Sequence, residues 1–166
     1  MAQQFCTFFL DGQFFGAPAD NVQEVIQFQP ITRVPLARPV IAGLMNVRGQ
    51  IVSVLDLRRR LGMPERSYCS LPVNVVVHAR DSVVSLLVDE IGDVIELPED
   101  TFESPPATLH GPIRDVLRRI YKLPGRLLLV LDIDRLLNLE NPATGASDFD
   151  REDSSCSPPE VVRRVP

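Results

Sequence analysis

Short apolar segments separated by turn residues run along most of the chain. They are rich in Val, Ile and Phe, and they are bounded by residues such as Gly, Pro, Asp and Asn. β-Branched and aromatic residues in segments of this length predict β-strands. Fifteen prolines interrupt the remaining sequence and leave room only for short helices. The predicted strands cover 4–10, 13–17, 41–47, 50–55, 73–78, 83–88, 94–97 and 126–131.

Turn and cap signals lie between these strands. Asp11-Gly12 joins two of the segments and predicts a hairpin, because a type I′ turn needs a positive φ at both central residues. Asp56 and Asp132 each follow an apolar strand, where an aspartate side chain can cap the first turn of a helix. The helices expected there cover 57–61 and 133–139.

A third short helix is predicted after Asp20. Val22, Val25 and Ile26 fall at positions i, i+3 and i+4, which places all three on one helix face. Gln23 stands at the third helical position, as in a capping box. The pattern therefore predicts a helix that buries its three aliphatic side chains.

Two blocks of the sequence repeat in the same order. The second copy is longer by seven residues, which fit in the proline-rich loop 98–112. Collinear repeats indicate two copies of one structural unit. We expect two small β-barrels, covering about 13–62 and 82–138. The aligned blocks are 44–62 with 120–138, at an offset of 76, and 19–26 with 88–95, at an offset of 69.

The last 26 residues have a different composition. Residues 141–166 are rich in Pro, Ser and charge, with five acidic and three basic side chains. They hold too few apolar residues to offset the entropy cost of ordering the chain. The sequence predicts one folded domain over 4–140 and a disordered acidic tail over 141–166.

Charge and composition narrow the class of protein. A net charge of -5 and a pI of about 5.0 argue against nucleic acid as a partner and against a polybasic membrane anchor. Aromatic residues make up 6% of the chain and Trp is absent, so a base-stacking platform has few parts. No segment has the length or the flanking residues of a membrane helix or a signal peptide. With three cysteines in no metal or disulfide spacing, the sequence predicts a soluble cytoplasmic protein with free thiols and no membrane insertion.

Candidate catalytic and metal-binding residues are few. Asp132 and Asp134 could form a carboxylate pair or a magnesium site, but capping explains Asp132 and its repeat partner Asp56 without chemistry. His78 and His110 have no zinc-binding spacing. The sequence predicts no catalytic residue, no metal and no cofactor. A small enzyme that uses the carboxylates is an alternative, which metal content and the variant Asp132→Asn would distinguish.

Five sequence blocks are typical of one known family. They are Asn21-Val-Gln-Glu-Val-Ile26, Ile41-Ala-Gly-Leu-Met-Asn-Val-Arg-Gly-Gln-Ile-Val52, Val54-Leu-Asp-Leu-Arg58, Leu87-Val-Asp-Glu-Ile-Gly-Asp-Val-Ile95 and Arg126-Leu-Leu-Leu-Val-Leu-Asp132. In these blocks the chain resembles the CheW family of chemotaxis coupling proteins over about residues 4–140. The resemblance implies an all-β fold of two tandem, five-stranded SH3-like barrels, which the internal repeat indicates independently.

The resemblance also implies a function. Members of the family are non-enzymatic adaptors that couple the cytoplasmic tips of chemoreceptors, the methyl-accepting chemotaxis proteins, to the regulatory domain of the histidine kinase CheA. Such a protein is cytoplasmic and recruited to receptor arrays at the membrane. The alternative is a CheW-like coupling module of a pilus-motility or second-messenger pathway, which the neighbouring genes would distinguish. A nucleic-acid-binding barrel is a further alternative, and steep salt dependence of DNA or RNA binding would reveal it.

The first candidate site is a predicted hairpin tip. The family's usual Asn-Leu-Arg-Gly motif is Asn46-Val47-Arg48-Gly49 in this chain. The repeat partner of Arg48 is Pro124, so the turn does not require arginine there. Because loop tips often carry function, Arg48 is predicted to make hydrogen bonds to a partner or to hold the groove between the barrels, with Asn46 and Gly49 beside it.

Glu24 is a second candidate, since it matches a family position implicated in coupling. It is expected on the polar face of the helix after Asp20. Its repeat partner, Asp93, is also acidic, so a shared structural role is an open alternative. Val22 is a weaker candidate that also fits the core. The arginines at 58–60 are predicted to form a solvated helix face or the rim of an interface.

Overall fold

The computed structural model describes residues 1–67 and 69–139, and the predicted tail lies outside these residues. The strands are β1 Ala2–Leu10, β2 Gln13–Pro18, β3 Val22–Gln27, β4 Ile41–Val47, β5 Gln50–Asp56, β6 Val73–Ala79, β7 Ser82–Val88, β8 Glu90–Pro98, β9 Phe102–Glu103, β10 Leu117–Leu123 and β11 Arg126–Leu131. The helices are α1 Leu57–Arg60, α2 Pro112–Val116 and α3 Ile133–Leu137, and a 3-10 helix covers Ala19–Asn21.

The strands form two sheets. The five-stranded sheet has the order β3-β6-β7-β5-β4, and the six-stranded sheet has the order β8-β1-β2-β11-β10-β9. The sixth strand, β9, is a two-residue edge strand that pairs with β10. Without it, the two sheets have the same order of repeat-equivalent strands.

The two repeats exchange hairpins between the sheets. The β1–β2 hairpin precedes the first repeat's other strands, but it joins β8, β10 and β11 of the second repeat. The equivalent β6–β7 hairpin joins β3, β4 and β5 of the first repeat. Parallel pairing of β2 with β11 and of β7 with β5 attaches each hairpin. Our expectation that 13–62 and 82–138 each form their own barrel therefore needs correction, because a repeat identifies equivalent strands and not the copy with which each one pairs.

A central apolar cluster joins the sheets. Adjacent residues of a strand point to opposite faces. Val54 of β5 therefore faces the interior of the barrel that the five-stranded sheet forms, and Leu55 packs in the central cluster on the other face. In β11, Val130 lies inside the six-stranded sheet and Leu131 enters the central cluster. Each fully buried Leu or Phe side chain contributes about 1.5–3 kcal/mol. The central cluster therefore holds the two sheets together as one unit.

Two of the predicted helix caps are confirmed. The Asp56 side chain accepts a hydrogen bond from the Arg58 backbone N–H at 3.1 Å, and the Asp132 side chain accepts one from the Arg135 N–H at 3.1 Å. Each cap starts a helix of four or five residues whose buried side chains enter the central cluster. The caps thus direct the chain from strand to core at the same place in both repeats.

The predicted helix after Asp20 is wrong. A 3-10 helix ends at Asn21, and the chain continues as β3, which pairs with β6. Val25 is 43% exposed, although the helical pattern placed it in the core. Exposure alternates along β3, as expected for a strand with one face toward the interior. Apolar residues at positions 22, 25 and 26 fit either a helix or an irregular strand. The pairing of β3 with β6 decides between the two.

The described cysteines differ from the prediction of free thiols. Cys6 is free and buried, and burial raises the pKa of its thiol. Cys69 is disulfide-bonded. Spacing along the chain does not reveal which cysteines are close in space. No helix within residues 1–67 and 69–139 is long and apolar enough to cross a membrane.

Candidate functional site

The tip of the β4–β5 hairpin presents Arg48 to solvent. Arg48 and Gly49 both have a positive φ, 51° and 84°, as a type I′ turn requires. The Asn46 side-chain oxygen accepts a hydrogen bond from the Gly49 N–H at 2.8 Å. Val47 is buried inside the five-stranded sheet and anchors the turn. The motif thus forms a tight turn from which the Arg48 side chain extends, 80% exposed.

Arg48 has an unusual backbone conformation for its residue type. The left-handed region costs an L-residue other than glycine about 1–2 kcal/mol. The equivalent turn of the second repeat avoids this cost, because Pro124 has its φ fixed near -65° and only Gly125 is left-handed, with φ 76°. Arginine is therefore not a residue that the hairpin selects for its geometry. Residues in strained backbone conformations cluster at functional sites, so the left-handed Arg48 is a candidate for binding.

Glu24 pairs with Arg48 across the five-stranded sheet. Its Oε2 lies 3.1 Å from the Arg48 Nη2, and the Glu24 side chain is only 18% exposed. Glu24 lies on β3 and the hairpin begins with β4, so the pair joins the two strands at opposite ends of the strand order. Thr32, in the connection between β3 and β4, makes reciprocal backbone hydrogen bonds of 2.8 Å with Leu44 of β4. Both contacts tie β4 to the chain on the β3 side of the sheet.

The carboxylate of Glu24 is only partly satisfied. Its Oε1 is buried and has no hydrogen-bond donor among the described residues. Leaving a buried acceptor unpaired costs about 1–3 kcal/mol. The pair therefore combines an exposed cation with a shielded carboxylate. It offers a partner one charged donor, the Arg48 guanidinium, which Glu24 holds from the inner side.

Comparison with known proteins identifies the family. A family model described as a CheW-like domain matches residues 4–141. This chain belongs to the CheW-like family. Chemotaxis protein CheW of Bacillus subtilis is 30% identical over 146 residues, which cover 88% of this chain and 94% of that protein. Chemotaxis protein CheW of Klebsiella aerogenes is 29% identical over 143 residues, with 86% of each chain covered.

A solved structure confirms the fold of this CheW-like chain. The crystal structure of scaffolding protein TtCheW from Thermoanaerobacter tengcongensis matches with a TM-score of 0.76. The two sequences are 24% identical, and the match covers 86% of this chain and 97% of that one. The prediction of an all-β fold with two tandem SH3-like barrels is confirmed.

The predicted site residues of this CheW-like chain fall into two environments. Asn46, Arg48 and Gly49 lie at the hairpin tip, and Glu24 is brought to them from β3. Val22 is half-buried against the central cluster, which is a packing position. Glu24 was expected on a helix, so its contact with Arg48 was not predicted. A strand assignment for 22–27 would have placed Glu24 on the inward face.

Exposed aliphatic side chains recur at equivalent positions in the two repeats, and none of them was among the predicted site residues. Ile51 on β5 is 63% exposed and its partner Leu127 on β11 is 52% exposed. Val25 on β3 and its partner Val94 on β8 are also exposed. The internal repeat combined with strand alternation would have found these pairs. Both barrels therefore expose aliphatic side chains at matching strand positions.

The arginines at 58–60 are structural in this CheW-like chain, and the prediction of a solvated face is wrong for Arg58 and Arg60. The Arg58 Nε lies 3.0 Å from the Asp89 Oδ1, its Nη2 contacts Oδ2, and only 12% of its side chain is exposed. Arg66 donates to the same carboxylate at 3.0 Å. Burial alone would raise the pKa of Asp89, but hydrogen bonds from Arg58, the Asp11 backbone and Arg66 together lower it below its usual value. In return, the hydrogen bond to Asp89 raises the pKa of Arg58.

Arg60 links the two repeats. Its Nε donates to the Leu136 carbonyl at 3.0 Å and its Nη2 to the Arg135 carbonyl at 3.2 Å. These carbonyls lie at the end of α3, where the Arg135 carbonyl also accepts a hydrogen bond from the Asn138 backbone N–H at 3.3 Å. The Arg60 residue is 8% exposed, and burial lowers the pKa of its guanidinium. Arg60 therefore fixes α1 of the first repeat against the end of α3 of the second.

Asp132 and Asp134, the candidate catalytic or metal-binding pair, have separate structural roles. Asp132 caps α3, and Asp134 lies 3.9 Å from Arg80 at the surface. Within residues 1–67 and 69–139, no group of three or more His, Cys, Asp or Glu side chains is arranged to hold a metal ion.

Proposed function

We propose that this protein is a non-enzymatic adaptor that couples chemoreceptors to a CheA-type histidine kinase in chemotaxis signalling. Membership of the CheW-like family supports the proposal at the level of the whole chain. The single structural observation that supports it most is the Arg48–Glu24 pair, which displays a strained, 80% exposed arginine over a shielded carboxylate. The protein would act in the cytoplasm and be recruited to receptor arrays.

Two barrels on one chain suit an adaptor. The central cluster joins the sheets, so surfaces on the two barrels keep a fixed distance and orientation. One barrel can then bind the receptor tip while the other binds the regulatory domain of the kinase. Joining two binding events on one chain raises the effective concentration of the kinase at the receptor. Coupling in this form requires contact surfaces and no chemical step.

We assign the partner contact to the hairpin tip and its surroundings. Arg48 would donate hydrogen bonds to a carboxylate or carbonyl of the partner, and Glu24 would orient the guanidinium through its Oε2. Asn46 and Gly49 hold the turn in shape, and Val22 supports β3 from the core side. Exposed Ile51 lies two residues beyond Gly49 and adds apolar contact area. Charged groups beside apolar groups are a common composition at protein interfaces.

Binding measurements with Arg48→Ala test the proposal. We expect the affinity for the regulatory domain of the kinase or for the receptor tip to fall at least about tenfold, which corresponds to about 1.4 kcal/mol. The free energy of unfolding should fall by about 1–3 kcal/mol, because the shielded Glu24 carboxylate loses its donor, and the folded fraction of the variant is checked before binding is compared.

Arg118→Ala is the matched control, because Arg118 is exposed on β10 of the other barrel. It should bind both partners as the wild type does. If Arg48→Ala binds both partners with wild-type affinity, the assignment of the site is wrong. If the wild-type protein binds neither partner, the adaptor function itself is wrong.

A coupling module of a pilus-motility or second-messenger pathway would use the same fold and the same pair. The binding experiment separates the two functions when kinase regulatory domains from each pathway of the same organism are compared. The chemotaxis assignment requires the tighter complex with the chemotaxis kinase.

A further inference from the structure

A positively charged cleft lies between the β3–β4 connection and α1. Its volume is about 260 Å³, and its walls combine apolar and charged side chains. Val34 and Ile41 supply apolar surface, while Arg33, Arg38 and Arg59 supply guanidinium groups. Asp56, the cap of α1, is the acidic residue of the lining. The cleft therefore has an excess of positive charge on a protein whose net charge is -5.

Two of these arginines have no acidic partner in the described part of the chain. Arg33 makes no ion pair there, and Arg38 donates to a backbone carbonyl, that of Leu139. Arg59 is different, because it lies 3.1 Å from Glu65 and 3.9 Å from Asp56. Arg33 and Arg38 are thus available to bind carboxylates, and the apolar wall between them can accept a hydrophobic side chain.

The described chain ends at this cleft. Arg60 holds the end of α3 against α1 through the carbonyls of Arg135 and Leu136. Arg38 contacts the carbonyl of Leu139, the last described residue. Two independent contacts therefore place the end of α3 and Leu139 at the rim of the cleft.

The sequence after Leu139 contains a segment whose charge is opposite to that of the cleft. Residues 148–153 read Asp-Phe-Asp-Arg-Glu-Asp, which is four acidic residues, one arginine and one aromatic ring. Asp148 is nine residues beyond Leu139, and nine residues span at most about 32 Å. Short linkers give effective concentrations in the millimolar range, so contacts that are weak individually suffice to hold a tethered segment.

We propose that residues 148–153 dock in cis into the cleft formed by Arg33, Arg38 and Arg59. The carboxylates of the segment bind the guanidinium groups of Arg33 and Arg38, and Phe149 covers Val34 and Ile41. Because the contact is mainly electrostatic, it weakens as salt shortens the screening length to about 3 Å at 1 M.

Hydrogen exchange on the full-length protein tests this docking. The variant neutralises the segment with Asp148→Asn, Asp150→Asn, Glu152→Gln and Asp153→Asn. We expect amides of residues 33–40 to exchange several-fold faster in this variant than in the wild type at low salt. At 1 M salt the wild type should exchange as fast as the variant.

A matched control neutralises four exposed acids on and after β8, with Glu90→Gln, Glu96→Gln, Glu99→Gln and Asp100→Asn. It makes the same change in net charge and should leave exchange at 33–40 unchanged. In a second variant, Arg33→Gln with Arg38→Gln should accelerate exchange, and further neutralisation of the segment should then add nothing.

Equal exchange in the wild type and the tail variant would overturn the proposal. Protection that grows with protein concentration would also overturn it, because the segment would then occupy the cleft of a second copy. Acceleration by the control variant would show a general effect of net charge and would contradict the specific docking.

Discussion

The two repeat-equivalent hairpin tips have the same fold and different chemistry. At the β4–β5 tip, Arg48 extends into solvent and pairs with Glu24. At the β10–β11 tip, Pro124 replaces it, and the nearby Arg126 lies 4.0 Å from the centre of the Phe14 ring. Asp93, the equivalent of Glu24, is exposed, and its backbone carbonyl accepts a hydrogen bond from the Thr7 hydroxyl. The barrel is therefore stable with either tip, so a displayed arginine at one of them points to a role in binding.

The two equivalent helices differ in the same way. Arg58 and Arg60 of α1 correspond to Asp134 and Leu136 of α3 at the offset of 76. Arg58 is held by Asp89 in a largely buried network, whereas Asp134 is exposed and pairs with Arg80 at 3.9 Å. The first helix thus joins distant parts of the chain through charge, and the second contributes mainly apolar packing. Equivalent positions of α1 and α3 therefore contribute different amounts to the free energy of folding.

The largest expected effect comes from replacing Arg58. Arg58→Ala leaves the shielded carboxylate of Asp89 with fewer donors, and breaking a buried pair costs about 3–5 kcal/mol. The equivalent change Asp134→Ala should cost less than about 0.5 kcal/mol, because its ion pair is exposed. Urea unfolding of both variants measures the difference. Similar losses of unfolding free energy in the two variants would contradict the difference proposed between α1 and α3.

A smaller effect is expected from pH. The folded-state pKa of Asp89 is lower than the unfolded value of about 3.9, so its contribution to stability is fully present above about pH 5. That contribution is lost as pH falls through the folded-state pKa. The free energy of unfolding of the wild type should therefore drop more steeply between about pH 5 and 3 than that of Asp89→Asn. Parallel pH profiles would contradict the assigned role of the network.

The smallest expected effect concerns the glycines of the two tips. Gly49 and Gly125 have φ values of 84° and 76°, and an added Cβ would meet no atom within 4 Å at either position. Alanine at each site should therefore cost only the backbone strain, about 1–2 kcal/mol. Thermal unfolding of Gly49→Ala and Gly125→Ala should give equal losses. A larger loss at Gly49 would show that the Arg48–Glu24 pair also stabilises the first turn.

Local signals predicted much of the fold. The Asp11-Gly12 hairpin has both residues at positive φ, 50° and 75°, and the aspartate caps at 56 and 132 are formed as expected. Each of these features depends on residues within four positions of one another. The same is true of the turn that displays Arg48, which the motif predicted from four residues.

Features that depend on distant residues were not predictable in this way. The segment 22–27 has a spacing that fits a helix, and its pairing with β6, about fifty residues later, makes it a strand. The sequence predicts Arg58 as one of three solvated arginines, but the fold brings Asp89, 31 residues later, next to its guanidinium. The pairing of Glu24 with Arg48 depends on closure of the barrel between β3 and β4. Only the candidate residues themselves, and not their contact, could be read from the sequence.

By itself, the sequence determined eight of the strands, two of the helix caps, the Asp11-Gly12 turn and the twofold repeat, because these follow from short-range preferences and from the periodicity of side chains. It did not determine β3, β9 and β10. The tertiary structure decided which repeat each hairpin joins, which arginines are buried and which one is displayed. Sheet pairing and charge burial depend on groups far apart along the chain, and their energies exist only when the folded chain brings those groups together.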